Sequence, residues 1–260
     1  MTTPLISIGI DPGSSGAAVL LADGAPVMRR GFPIHAVWKH KPGESFADPV
    51  VRVRRRQAMA TMLEEASAAG LPQRAPDAVV IEGVAINYSG KNQQGMAGLI
   101  KECGWWECFA EERGWPVQIA QAPHWLRSVA RPLHGAGLGV VRARIHRRWP
   151  SPKWSQRKHV TKVQALSGAL EHWPSVEWVP KRGRIPHDGL VDAALLALCG
   201  TLGRTWSVQR DGRGAGCWRD FIDPTTEYQA RYVYDGLKAD MKRGAARLLC
   251  DGEEVERWTT

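Results

Sequence analysis

The chain opens with alternating apolar and small residues, Ile6-Ser7-Ile8-Gly9-Ile10, and breaks at Asp11-Pro12-Gly13. Alternation of period two ended by a Pro-Gly break predicts a strand running into a turn. Gly16 to Leu21 is a second apolar run and Pro26 to Phe32 a third, with Asp23-Gly24 as the hairpin turn between them. The chain is therefore expected to begin as a β-meander. A polar loop containing proline and the cluster Arg52-Val53-Arg54-Arg55-Arg56 comes next. Helical patterning runs from about Val51 to Ala69 and stops at Gly70. Asp77 to Glu82 reads as a short buried strand ending in a carboxylate, because Val79-Val80-Ile81 is an unbroken β-branched run. A helix from about Asn92 to Arg113 is closed by Gly114; a strand, Val117 to Ala120, and a short helix opened by Pro123 follow.

Arg131 to Ser155 holds Gly135, Gly137, Gly139, Pro150 and Pro152, and reads as a basic, mostly irregular insertion. Helical patterning resumes near Gln156 and runs to about His172, and Asp188 to Cys199 is a compact apolar helix. Strands interleaved with helices in this order predict an α/β domain over residues 1–200, with the insertion at about 131–155. Residues 201–260 are balanced in charge, carry a Gly-rich stretch at 211–216 and show no interpretable motif, so they read as a C-terminal extension.

The five cysteines form no CxxC pair and no Cys/His spacing typical of zinc, which fits reduced thiols in an intracellular chain. No apolar run is long enough to span a bilayer, and the N-terminus lacks the features of a signal peptide. The expectation is a soluble, cytoplasmic protein with no membrane partner. The formal charge of +9 is concentrated. Between Glu112 and Glu171 there is no acidic residue and there are eleven basic ones, leaving 24 Lys and Arg against 26 Asp and Glu elsewhere. The same window holds Trp115, Trp125, Trp149 and Trp154. An acid-free basic stretch interleaved with aromatics is the footprint expected of a surface that meets a phosphate backbone and stacks on exposed bases. Its candidate contacts are Arg142, Arg144, Arg147, Arg148, Lys153, Arg157 and Lys158.

Four carboxylates share a pattern. Asp11 and Glu82 each end a strand, and Asp188 and Asp192 stand four apart on one helix, which puts them on one face. Asp192 lies within Leu190-Val191-Asp192-Ala193-Ala194-Leu195-Leu196, where an acid needs a partner. Adjacent parallel strands can set Asp11 beside Glu82, and a helix across the strand ends can add the other two. Such a cluster is mutually repulsive unless cations neutralise it, and hard oxygen donors select Mg2+ or Mn2+. Two such ions about 3.5–4 Å apart are the arrangement used for in-line phosphoryl displacement.

Ile-Gly-Ile-Asp-Pro-Gly-Ser-Ser-Gly (8–16), Val-Val-Ile-Glu (79–82) and His-Asp-Gly-Leu-Val-Asp-Ala-Ala-Leu-Leu-Ala-Leu (187–198) resemble, in order, the three acidic motifs of RuvC-type Holliday-junction resolvases. The resemblance covers roughly residues 4–200. It implies an RNase H-like mixed sheet, an antiparallel meander leading into parallel strands, flanked by helices. It also implies a homodimer that nicks four-way DNA junctions symmetrically with two Mg2+ ions, Mn2+ being able to substitute. Asp11, Glu82 and Asp192 fall on the family's acidic positions and Asp188 on the fourth. The spacing of four between the last pair, where bacterial RuvC has three, is closer to phage-encoded and organellar relatives. His187 is a candidate further ligand or phosphate contact. Lys91 and Asn92 are candidate phosphate contacts, and Lys181, Arg182 and Arg184 candidates to steady the scissile phosphate. Competing readings are a nuclease for flaps, forks or packaging intermediates, and a fold that binds branched DNA without cutting. A sugar- or acetate-kinase-like ATPase, which also opens on strand-Asp-x-Gly-Ser/Thr, would need a second phosphate loop and two repeated domains.

Overall fold

The computed structural model of the chain describes residues 3–29, 32–39, 41, 44–83, 93–121, 124–130, 133, 135–151, 160–180, 184–201, 206–211, 219–225, 234–235, 237–238, 245–250 and 253–259. Packing divides the chain into two units, Met1–Thr201 and Leu202–Thr260.

In the first unit, β1 (Ile6–Asp11) and β2 (Ala17–Ala22) pair antiparallel, with Ile6 opposite Ala22 and Asp11 opposite Ala17. The hairpin beyond β2 turns on Asp23 (φ 49°) and Gly24 (φ 76°), the left-handed pair that such a tight turn requires. The expected third strand does not form as one piece. Pro26 and Pro33 cannot donate to a ladder, and the segment breaks into β3 (Ala25–Pro26), β4 (Met28–Arg29) and β5 (Phe32–Pro33) before β6 (His35–Val37) rejoins β2. On its other side β1 pairs parallel with β7 (Ala78–Gly83), and β7 pairs parallel with β8 (Val117–Gln121). The result is one mixed sheet in the order β3-β2-β1-β7-β8, with β6 also on β2. An antiparallel meander leading into parallel strands, flanked by helices, is the predicted architecture.

On one face lie α1 (Pro49–Ala68) and α2 (Gln93–Glu111). Helix α1 starts where the Asp48 carboxylate accepts the Val50 amide at 2.8 Å, with Pro49 in the first turn, and it ends before Gly70 in the left-handed region (φ 94°). Its buried stripe is Val51, Arg55, Met59, Met62 and Ala66, so the arginine cluster read as loop is helical and turns one guanidinium inward. These side chains pack with Ile6, Ile8, Ile10, Val79, Ile81, Trp106 and Phe109.

The opposite face carries α3 (His124–Val129), α4 (Gly135–Arg148), α5 (Val160–His172) and α6 (Asp188–Thr201). Helix α4 corrects the expectation of an irregular insertion. Leu138, Val141, Ile145 and Trp149 recur at helical spacing and pack on the core, while a side chain at Gly135, Gly137 or Gly139 would meet open space. Helix α6 is buried continuously from Gly189 to Cys199. It approaches β1 so closely that a Cβ on Gly9 would stand 1.9 Å from the Ala193 carbonyl oxygen and 2.3 Å from the Ala197 nitrogen. Ser7, one step earlier on the same strand face, donates to the Ala197 carbonyl at 2.8 Å.

The second unit holds an antiparallel sheet, β10 (Arg219–Thr225), β9 (Trp206–Asp211), β11 (Ala245–Cys250) and β12 (Glu253–Thr259), in that order. Tyr234, Leu237, Ala245 and Ala246 are buried there. Among the described residues no helix is long and apolar enough to cross a membrane.

Gly9→Ala is expected to cost about 3 kcal/mol or more, at the upper end of overpacking, because both obstructing atoms are helix backbone. Urea denaturation checks this. An unchanged midpoint would mean that α6 can move off the sheet at no cost.

Candidate active site

Strand register brings the first two acids together. Ile10 is the parallel partner of Ile81, so the next residue on each strand, Asp11 and Glu82, stands at the same edge of the sheet. Alternation decides the face: Ile8, Ile10, Val79 and Ile81 pack toward α1 and α2, which turns Asp11 and Glu82 toward α6. Gly189, in the first turn of α6, is so near that a Cβ there would lie 2.7 Å from Asp11 Oδ2 and 2.7 Å from the Ser15 carbonyl. A helix of small residues at 189, 193 and 197 thus runs down Ser7, Gly9 and Asp11 and delivers its N-terminus to the carboxylates. The partial positive charge of that terminus favours anions.

His187 caps this helix. Its Nδ1 accepts the Leu190 amide at 3.2 Å, which leaves the ring proton on Nε2. In that form Nε2 is a donor, suited to a phosphate oxygen and not to a cation. Asp192, one turn past Asp188, is 4% exposed and accepts from Lys162 Nζ of α5 at 2.5 Å. Glu82 Oε1 accepts the indole N–H of Trp125 at 3.1 Å, from α3.

The electrostatics follow from crowding. Burial, then the neighbouring charges of Asp192 and Glu82, raise Asp11 well above the ordinary carboxylate range, and its hydrogen bond with Glu82 adds to this. Burial, opposed by Lys162 and reinforced by Glu82 and Asp188, pushes Asp192 up to about 6. For Lys162, burial disfavours the ammonium but Asp192, Asp11 and Asp188 more than offset it, so the lysine is held charged. One ammonium among several acids explains why it is stabilised while Asp11 and Asp192 are raised.

The donors are all hard oxygens, and they carry more negative charge than Lys162 neutralises; in kind and in charge they fit Mg2+ or Mn2+. Among the described residues no group of three or more His, Cys, Asp or Glu stands pre-arranged around a single metal position. The convergence is electrostatic, with Lys162 bonded to the most buried acid.

The predicted DNA contacts divide. Arg144, Arg147 and Arg148 are exposed on α4, with Arg142 half-buried beside them, and Arg184 is exposed shortly before α6. Lys91, Asn92, Lys153, Arg157, Lys158, Lys181 and Arg182 lie outside the described residues, as does Trp154. Two aromatics read as stacking platforms are otherwise engaged. Trp125 is 6% exposed and bonded to Glu82, and Trp149 is 7% exposed beneath the Arg148 guanidinium, 4.3 Å from its ring centre. Trp115 packs at the edge of the α1–α2 core. Indole area is more effective inside than on the surface.

Sequence reasoning counted Lys162 and Trp125 only as members of a basic, aromatic stretch. A signal was present for Lys162: it stands three, four and seven residues before Ala165, Leu166 and Ala169, the buried stripe of α5, where a lysine needs an acid.

No family model matches this chain, and no curated protein does. Among solved structures it is similar to T. thermophilus RuvC in complex with Holliday junction substrate, at 15% identity over 84% of this chain and 100% of that one, with a TM-score of 0.40. It is similar also to Thermus thermophilus RuvC, at 18% identity over 76% of this chain and 93% of that one, with a TM-score of 0.37. Likeness this distant assigns no role to any residue.

The raised acids give a signed pH dependence. Folded Asp192 keeps its proton between the ordinary value of 3.8 and about 6, so its contribution to stability is present below that interval and is lost as the pH rises through it. In chelator, the melting temperature should therefore fall across that interval. Asp192→Asn should flatten the fall and stabilise the protein at pH 8 by at least about 1 kcal/mol, because Lys162 keeps Asp11 and Asp188 as counter-charges. An Asn variant less stable than wild type at pH 8 would show the Lys162 pair to be the larger effect.

Proposed function

We propose that this chain is a Mg2+-dependent DNA endonuclease that resolves four-way junctions by paired symmetric nicks. The observation that supports the reading is the crowding of acids at one end of the sheet, where burial first, and then the charges of Glu82, Asp188 and Asp192, raise Asp11 and Asp192 above their ordinary range. Clustered acids perturbed by burial and like charge mark functional sites more often than structural ones. Their order along the chain matches the three acidic motifs that the sequence shares with RuvC-type resolvases.

In this reading the four carboxylates would hold Mg2+, whose positive charge would offset the negative charge that develops in a phosphodiester displacement. Trp125 fixes the Glu82 carboxylate by its indole donor. Lys162 keeps Asp192 ionised and oriented before any phosphate arrives. His187, which caps the helix through its Nδ1, is the candidate phosphate contact at the helix start. Arg144, Arg147 and Arg148 line the solvent side of α4 without an intervening acid, as contact with a phosphate backbone requires. A junction has two-fold symmetry and two strands to cut, so the working form is a homodimer with one such site per subunit.

The ion pair of Lys162 with Asp192 favours a second reading: the lysine neutralises the cluster by itself and the chain binds branched DNA without cutting it.

Labelled four-way junction, flap and linear duplex, each with Mg2+ or EDTA, separate the readings. Symmetric nicks on the junction alone are expected, lost in EDTA. Asp11→Asn should reduce the rate at least about 100-fold, since even groups that merely support a metal's ligands contribute 10–100-fold. Cutting of every branched substrate would move the assignment to a broader structure-selective nuclease. Tight binding with no cutting in Mg2+ or Mn2+ would establish the binding reading. The surface is tested separately: replacing Arg144 and Arg147 together by Ala should weaken junction binding and lower the slope of log K against log salt by about 2. An unchanged slope would remove α4 from the interface.

A further inference from the structure

The buried ion pair of Arg55 with Glu102 does nothing for charge at the surface, since both side chains are at most 2% exposed. Burying two charges seldom stabilises a fold relative to apolar side chains of similar size, so its retention calls for a reason. The partners of the pair supply one. Arg55, on α1, donates from its second terminal nitrogen to the Gly13 carbonyl at 3.1 Å. The Gly13 backbone lies close enough to the Glu102 carboxylate, on α2, to favour its charged form. Arg55 of the ion pair thus holds the carbonyl of this loop residue, and the Trp38 indole adds a second bond, to the same carbonyl, at 3.1 Å.

Gly13 sits two residues after Asp11 with φ at +120°, a conformation open to glycine and to few other residues. The guanidinium is in turn fixed, lying 4.9 Å from the Trp38 ring centre and 5.2 Å from that of Phe46. The next residue of α2, Cys103, reaches the other acidic strand: its Sγ donates to the Glu82 carbonyl at 3.2 Å. Consecutive residues of one helix therefore hold the ends of β1 and β7, the two strands that carry Asp11 and Glu82. Arg55 is also close enough to Asp11 to be stabilised by its charge.

We propose that Arg55 and Glu102 are positioning residues: together they clamp the Asp11–Gly13 loop and so hold Asp11 in register with Glu82 for divalent-cation binding. The metal half of this statement rests on the nuclease reading; the clamp does not.

Two variants of the full chain test it. Arg55→Lys keeps a cation opposite Glu102 but lacks the fork that spans the acid and the Gly13 carbonyl. The double variant R55M/E102M removes both charges and keeps apolar volume. Three measurements are made on each: melting temperature, hydrogen exchange of the amides of residues 11–16, and Mn2+ affinity by calorimetry. The expected result is a melting temperature within a few degrees of wild type, faster exchange confined to that loop, and Mn2+ affinity reduced at least about tenfold. If R55M/E102M fails to fold, Arg55→Lys alone decides. Unchanged loop exchange in the variants would overturn the clamp. Faster exchange with unchanged Mn2+ affinity would make the pair structural only and overturn its positioning role. A wild-type chain that takes up no Mn2+ would sink the nuclease reading and the metal half of the proposal with it, while exchange would still pass or fail the clamp.

Discussion

Everything at the acidic end of the sheet depends on how closely α6 can lie on β1. Ser7, Gly9 and Asp11 alternate on one strand face and meet Ala197, Ala193 and Gly189, spaced by four along the helix. Two periodicities, two for the strand and four for the helix, coincide over this contact because every residue at it is small. A larger side chain at Gly9 would lift the helix, and the lift would be felt at Gly189, beside Asp11. The position of Asp192 relative to the strand ends is therefore a consequence of backbone approach, set before any charge is considered.

That approach has an electrostatic cost. It buries Asp192 and Asp11 close to other acids, which favours the protonated forms of these two. The fold offsets the cost from three directions: the Lys162 ammonium from α5, the Trp125 indole from α3, and the N-terminus of α6 itself. On the far side of the sheet, a second pair of opposite charges, Arg55 and Glu102, holds the loop after Asp11. The acids are thus approached by protein donors from both layers of helices. Buried acids set beside one another violate local preference at this end of the molecule, a departure expected at functional sites.

The surface and the interior divide the basic and aromatic residues differently from their order in the chain. Trp125 and Trp149 are buried and the arginines of α4 are not. Helix α4 forms in spite of three glycines, each of which costs about 1 kcal/mol in a helix, because the apolar stripe from Leu138 to Trp149 packs on the core. Local composition argued for a loop; burial of one face outweighed it. The opposite happened after residue 25, where the strand expected from Pro26 yields only the short pieces Ala25–Pro26 and Met28–Arg29, and Pro26 can supply no ladder donor.

Elements with clear periods can be read from the residue order alone. The opening hairpin, the strand ending in Glu82, the long helices and the apolar helix holding Asp188 and Asp192 follow from alternation, helical spacing and turn chemistry, which are local. The acids were legible as candidates: Asp192 because a carboxylate inside an apolar run is anomalous, Asp11 and Glu82 because each ends an apolar strand, and Asp188 because it stands four before Asp192. Tertiary structure alone decided which residues meet them. Lys162 reaches Asp192 across 30 positions and Trp125 reaches Glu82 across 43, and Arg55 and Glu102, 47 apart, share one glycine of a loop that belongs to neither helix. No local pattern encodes such pairs, because they are set by the register of parallel strands and by how near a helix of small residues can come to a sheet.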